Sequence, residues 1–223
     1  MNLPFTRVQF LGVFENYNLS VWPMQIVLVL LGLTAIYFAA LRHKPSNKII
    51  AAALALLWLW MGVVYHIRYF APINPAAKVF GALFILQGFI FIFSGLIRNS
   101  LSFEFRSDGY GITGAAFLLY ALVIYPILGY FQGHIYPQSP TFGLPCPTTI
   151  FTFALLLWAD RKVPLYVLIV PFLWTLIGSS AAVTLGIVED FGLLAAGLCG
   201  TALVIIRNRH EGRQVKAVEP VAS

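Results

Sequence analysis

The sequence predicts an all-α protein, a polytopic transmembrane bundle of seven spans with its N-terminus outside and its C-terminus inside. Three observations predict it. Sixty per cent of the 223 residues are hydrophobic and only 10% are charged, against roughly a quarter charged in soluble domains. The apolar residues fall in long runs separated by short connections, and about 20 such residues make a helix long enough to cross a hydrocarbon core about 30 Å thick. The cationic residues gather on alternate connections, as the positive-inside rule requires. Seven such helices leave no room for a separate soluble domain.

Residues 1–20 are read as an external interfacial amphipathic segment. Thr6 and Gln9 have capping-box spacing, and Leu3, Phe5, Val8, Phe10, Leu11, Phe14 and Tyr17 supply an apolar surface that can lie on the outer leaflet or lid the bundle. The start of the chain has neither the apolar core nor the early basic cluster of a cleaved signal peptide.

The transmembrane domain, residues 21–207, divides into spans Pro23 to Leu41, Ile49 to Tyr69, Pro75 to Ile97, Gly111 to Tyr130, Pro145 to Ala159, Pro164 to Leu185 and Phe191 to Ile206. Pro23, Pro75 and Pro164 stand where a helix tolerates proline, just inside its start, and Asn74 and Asp190 read as N-caps. Residues 208–223 form a basic cytoplasmic tail expected to be disordered and able to attract anionic headgroups. One side carries Arg42, Lys44, Lys48, Arg98, Arg106, Arg161, Lys162, Arg207, Arg209, Arg213 and Lys216, eleven cations, and the other only Arg7, Arg68 and Lys78. The first side is therefore cytoplasmic. The same distribution accounts for the net charge of +6, since short connections are not the clustered basic face that nucleic acid needs.

Two internal features concern packing. Gln25 and Gln87 are costly in lipid and should hydrogen-bond inside the bundle, while Gly192, Ala196 and Gly200, with the small residues at 178–182, let helices approach closely. A faint parallel repeat links "VVYHI" at Val63 to Ile67 with "VIYPI" at Val123 to Ile127, 60 residues on.

Once the spans are oriented, the candidate site residues fall at the outer end: His66, Asn74, Cys146, Thr148, Thr149, Glu189 and Asp190. Pro145 and Pro147 frame Cys146, and neither has an N–H, so a helix begins there but cannot run through from upstream. From Pro147 to Trp158 is about 18 Å at 1.5 Å per residue, short of a bilayer core. Either the helix uses Asp160 to Lys162 as a snorkelling end, or the loop "GHIYPQSPTFGLPC" dips inward. The helix start beside Cys146, Thr148 and Thr149 suits a reactive thiol, a soft metal ligand or an anion nest, with an inert proline-framed turn as the plain alternative. His66 offers a ligand or proton, with a headgroup-bonding role as the alternative. Glu189 and Asp190 offer a carboxylate pair for a cation, or a charged cap on the last helix. His134, in a loop, is the weaker second histidine.

There is no P-loop, GxSxG, HExxH or CxxCH motif, and two cysteines make no disulfide framework. No cofactor is expected. On the stretches "LPFTRVQFLGVFENYN", "LWMGVVYHIRYFAPINPAA", "PCPTTIFTF" and "IGSSAAVTLGIVEDFGL", the chain resembles a family of bacterial multi-pass membrane proteins classed as a domain of unknown function. That resemblance covers nearly the whole chain and implies the inner membrane, but no activity or catalytic residue. The residues lead to a protein that binds or passes a small solute or ion through an outward-facing cavity, with the lipid bilayer as its other partner. A transporter of this kind would be secondary or passive. The alternatives are a metal-dependent intramembrane enzyme using His66, His134, the acidic pair and Cys146, and a non-catalytic sensor or assembly partner.

Overall fold

The computed structural model describes residues 3–41 and 45–218, with side chains through His210. Arg42 and Lys44, two of the cations assigned to the inner side, and residues 219–223 of the expected tail lie outside the described residues. Among those described, every regular element is helical: α1 (Arg7–Val21), α2 (Met24–Leu41), α3 (Ser46–Trp60), α4 (Ala77–Phe91), α5 (Gly109–Leu119), α6 (Tyr125–Phe131), α7 (Pro145–Leu157), α8 (Tyr166–Leu185) and α9 (Phe191–Val218). α3 continues as π-helix through Met61–Phe70, α4 through Ile92–Ile97, and Tyr120–Ile124 is a π-helical joint between α5 and α6. The backbone of α9 stays helical past Ile206, as far as Val218.

Among the described residues six helices, against the seven expected, are long and apolar enough to cross a membrane: Met24–Leu41, Ser46–Phe70, Ala77–Ile97, Gly109–Phe131, Tyr166–Leu185 and Val188–His210. The remaining expected span is α7, 13 residues long, or about 20 Å. Of its residues only Cys146 is more than slightly exposed. It packs mainly against α5 and α9 and meets α3 where the Trp58 indole N–H donates to Thr152 Oγ1 at 3.0 Å. A helix with no charged residue is equally at home in lipid or in protein; this one forms the centre of the bundle. Its C-terminal carbonyls, orphaned in any helix, are met by Arg207 of α9, whose Nη1 donates to Leu156 O at 3.1 Å and Leu157 O at 3.0 Å.

Both glutamines turn inward. Gln25 Nε2 donates to Asn18 O at 2.8 Å. Gln87 Nε2 donates to Val167 O at 3.0 Å, and the reason lies four residues on: Pro171, inside α8, has no N–H to offer that carbonyl. Replacing Gln87 by leucine therefore orphans Val167 O in an apolar interior. The expected loss is about 1–3 kcal/mol, read as a lower unfolding midpoint in detergent; an unchanged midpoint would remove this account.

The small residues serve packing. A Cβ on Gly192 would run into the Tyr120 ring, and one on Gly200 would sit 3.0 Å from Phe153. α1 folds onto the end of the bundle through Val13, Phe14, Tyr17 and Val21, which cluster, together with Phe5 just before the helix, with Tyr65 and Phe70 of the α3 extension. Its capping box is formed, with Gln9 N–H donating to Thr6 Oγ1 and Thr6 N–H to Gln9 Oε1. Trp60 N–H donates to the Tyr17 hydroxyl at 2.7 Å. Burial pushes that hydroxyl up to about 12 against the opposing Trp60 bond, so it stays protonated.

Candidate functional site

α1, the turn after Phe70, the 132–144 loop and the turn before α9 meet at one end of the molecule. The loop dips inward. Phe142 and Leu144 are buried, and Phe142 stacks edge-on against Phe151 of α7, centroids 5.1 Å apart. Gly143, at φ +96°, makes the turn that glycine alone adopts freely. Irregular backbone at this depth needs protein partners, and Asn18 of α1 provides them: its Nδ2 donates to Pro137 O at 2.7 Å and Ser139 O at 2.8 Å, while Thr141 donates to its Oδ1 at 3.0 Å. Asn18 is fully buried. The sequence reading overlooked it, although an asparagine in an otherwise apolar stripe of α1 was the available signal.

These elements enclose a cavity of about 250 Å³. Residues from Leu3 to Phe14 form one wall, α8 from Trp174 to Leu185 another, and the start of α7 a third, with Asp190 also on the lining. Tyr65 and Tyr125, the third residues of the two repeated pentapeptides, both line it. Each stands in or beside a π-helical turn, a rare geometry often found at functional sites.

The seven predicted site residues do not converge as a group. Asn74, Cys146 and Asp190 line the cavity. Asn74 is not the N-cap expected of it: α4 starts at Ala77 with Ala76 at the cap position, and the Asn74 side chain instead accepts from Ala76 N–H at 3.2 Å within the preceding turn. The Cys146 thiol lies beside the Asp190 carboxyl and Trp174. Thr148 and Thr149 turn into the core: Thr148 Oγ1 accepts from Gly143 N–H at 3.1 Å, holding the inward loop, and Thr149 Oγ1 is buried without a partner.

His66 is off the cavity. It is completely buried, and its ring sits among Phe84 at 4.5 Å, Trp174 at 5.0 Å, Tyr65 at 5.2 Å, Phe80 at 6.0 Å and Phe70 at 6.2 Å. Neither ring nitrogen has a hydrogen-bond partner. It is therefore a core residue beneath the cavity wall.

Neither Glu189 nor Asp190 is an exposed helix cap. Both are buried in a 3₁₀ turn, Val188–Asp190, and their carboxyls part. Asp190 Oδ1 accepts from the Tyr125 hydroxyl at 2.5 Å. Glu189 Oε1 meets His134 Nδ1 at 2.5 Å, and His134 Nε2 meets Arg7 Nη2 at 3.1 Å. An arginine only donates, so Nε2 is the acceptor and Nδ1 carries the hydrogen given to Glu189. This chain ties the first residue of α1 through a buried loop histidine to the last helix. In the sequence alone Arg7 is an outer-side cation and His134 the lesser histidine.

Among the described residues, no three His, Cys, Asp or Glu side chains come together to hold a metal ion; the ligands suggested for a metalloenzyme are split between the sealed His66, the His134–Glu189 pair and the cavity. The chain belongs to a family of unknown function, DUF6064, which it matches over residues 7–215. No curated protein and no solved structure matches it.

Proposed function

We propose that this family member is a membrane receptacle that binds a small, largely apolar solute at the outer end of its helix bundle, with α1 as the lid. One observation carries the reading: the cavity of about 250 Å³ is lined chiefly by aromatic and aliphatic side chains, has a single carboxyl on its wall, and is walled on one side by a separate N-terminal element. A concave, mostly apolar site with few polar groups is the usual form of a small-molecule pocket. Binding is favoured over passage because the elements beneath the cavity, α7 and the His66 ring cluster, are closely packed and buried. The orientation that places the lid outside, and the bacterial inner membrane as its location, rest on the cation count and on the sequence resemblance.

Cys146 is the built-in reporter. In a Cys199→Ser background it is the single cysteine, half-buried on the cavity wall. Saturating 2-phenylethanol is expected to slow its labelling by a small methanethiosulfonate reagent, and Ala181→Trp, which fills the cavity, is expected to abolish that protection. Labelling that is indifferent to the alcohol would overturn the receptacle.

A further inference from the structure

We infer that the solute carries an organic ammonium group, bound against Asp190 among aromatic ring faces. The inference rests on the receptacle reading and narrows it to a class of ligand.

The cavity is electrostatically one-sided. Among the described residues Asp190 is the only acid on its lining, and no Lys, Arg or His of those residues lines it. Asp190 is nearly buried, and its described polar neighbours are the Tyr125 hydroxyl, hydrogen-bonded to Oδ1, and the Cys146 thiol. Neither brings positive charge. A buried carboxylate without a cation is costly, and the cost is relieved by a partner of opposite sign. A ligand can supply that sign.

The start of α7 is a poor anion site. A helix N-terminus binds anions through its free N–H groups, but here Pro145 and Pro147 contribute none and the Thr148 N–H is already given to Leu144 O at 3.2 Å, which leaves the Cys146 N–H to serve alone. An anion would also face Asp190. Both points favour a cation over the anion nest that the proline-framed stretch suggests from sequence.

The rest of the lining suits an ammonium with an apolar body. Eight lining residues are aromatic, among them Tyr65, Trp174 and Tyr125, the last of which hydrogen-bonds Asp190 directly. Ring faces attract cations, most strongly when water is excluded. The aliphatic side of α8, around Ile177 and Leu185, is left for the hydrocarbon part.

The test compares 2-phenylethylamine with 2-phenylethanol, which share a body and differ in the charge of the head at neutral pH. In the Cys199→Ser protein reconstituted in nanodiscs, the amine should protect Cys146 from labelling at concentrations at least about tenfold lower than the alcohol. Asp190→Asn should cancel the amine's advantage while keeping protection by the alcohol, which also shows that the variant is folded. Equal protection by both compounds, or an amine advantage that survives Asp190→Asn, overturns the ammonium assignment and leaves the receptacle standing. Protection by neither overturns both.

Discussion

Replacing His134 with alanine is expected to free α1 from the bundle and open the cavity, raising the rate of Cys146 labelling by roughly tenfold or more, the change produced by about 1.4 kcal/mol of lost lid closure. The argument starts from the two bonds of the imidazole, to Arg7 at 3.1 Å and Glu189 at 2.5 Å. They join α1 to the turn before α9, and cutting them leaves the Glu189 carboxylate buried without its donor, which costs more than the bond itself contributes. The apolar contacts of Phe5 and Phe14 remain, so the expected state is a loosened lid on a folded bundle. A nitroxide on Val8→Cys, at an exposed position on α1, in a chain lacking Cys146 and Cys199, should become more mobile when His134 is replaced by alanine. A nitroxide whose mobility is unchanged by that replacement would show that the chain through His134 does not hold the lid.

The helical architecture was legible because bilayer-length apolar runs and their polar punctuation are properties of composition, and the inward glutamines were legible because an amide in such a run has to find a partner. Other features were hidden for specific reasons. α7 carries no charged residue, so its sequence does not say whether lipid or protein surrounds it, and it reads as one more span. Glu189 and Asp190 are neighbours in sequence, yet successive residues of a tight helical turn point in different directions, and the two carboxyls serve different elements. His66 was expected at the mouth from its position near the end of a span, but the π-helical run Met61–Phe70 shifts the register of that end and turns the ring into the core. Tyr65 and Tyr125 left a trace, the repeated pentapeptide, whose shared tyrosine proved to be the part that reaches the cavity. Arg7 and His134 left none, because their partners lie 127 and 55 residues away.

Arg207 gives the largest stability effect expected from a residue remote from the cavity. From sequence it is one of eleven cations that set topology; in the fold it is 2% exposed and closes the C-terminal end of α7 through Leu156 O and Leu157 O. That end of a helix bears partial negative charge, and α7, being surrounded by protein, has little water to satisfy its last carbonyls. Arg207→Met keeps much of the side-chain length and removes the donors, so two carbonyls lose charge-assisted bonds worth about 1.5–3 kcal/mol each. The expected loss is about 3 kcal/mol or more, seen as a lower unfolding midpoint of the detergent-solubilised protein. Arg207→Lys, with one ammonium in place of the forked guanidinium, should recover only part of it. A topology role alone predicts the opposite ordering of effects: lysine would then be fully equivalent to arginine, and methionine would alter orientation in the membrane without lowering the midpoint of the correctly inserted protein.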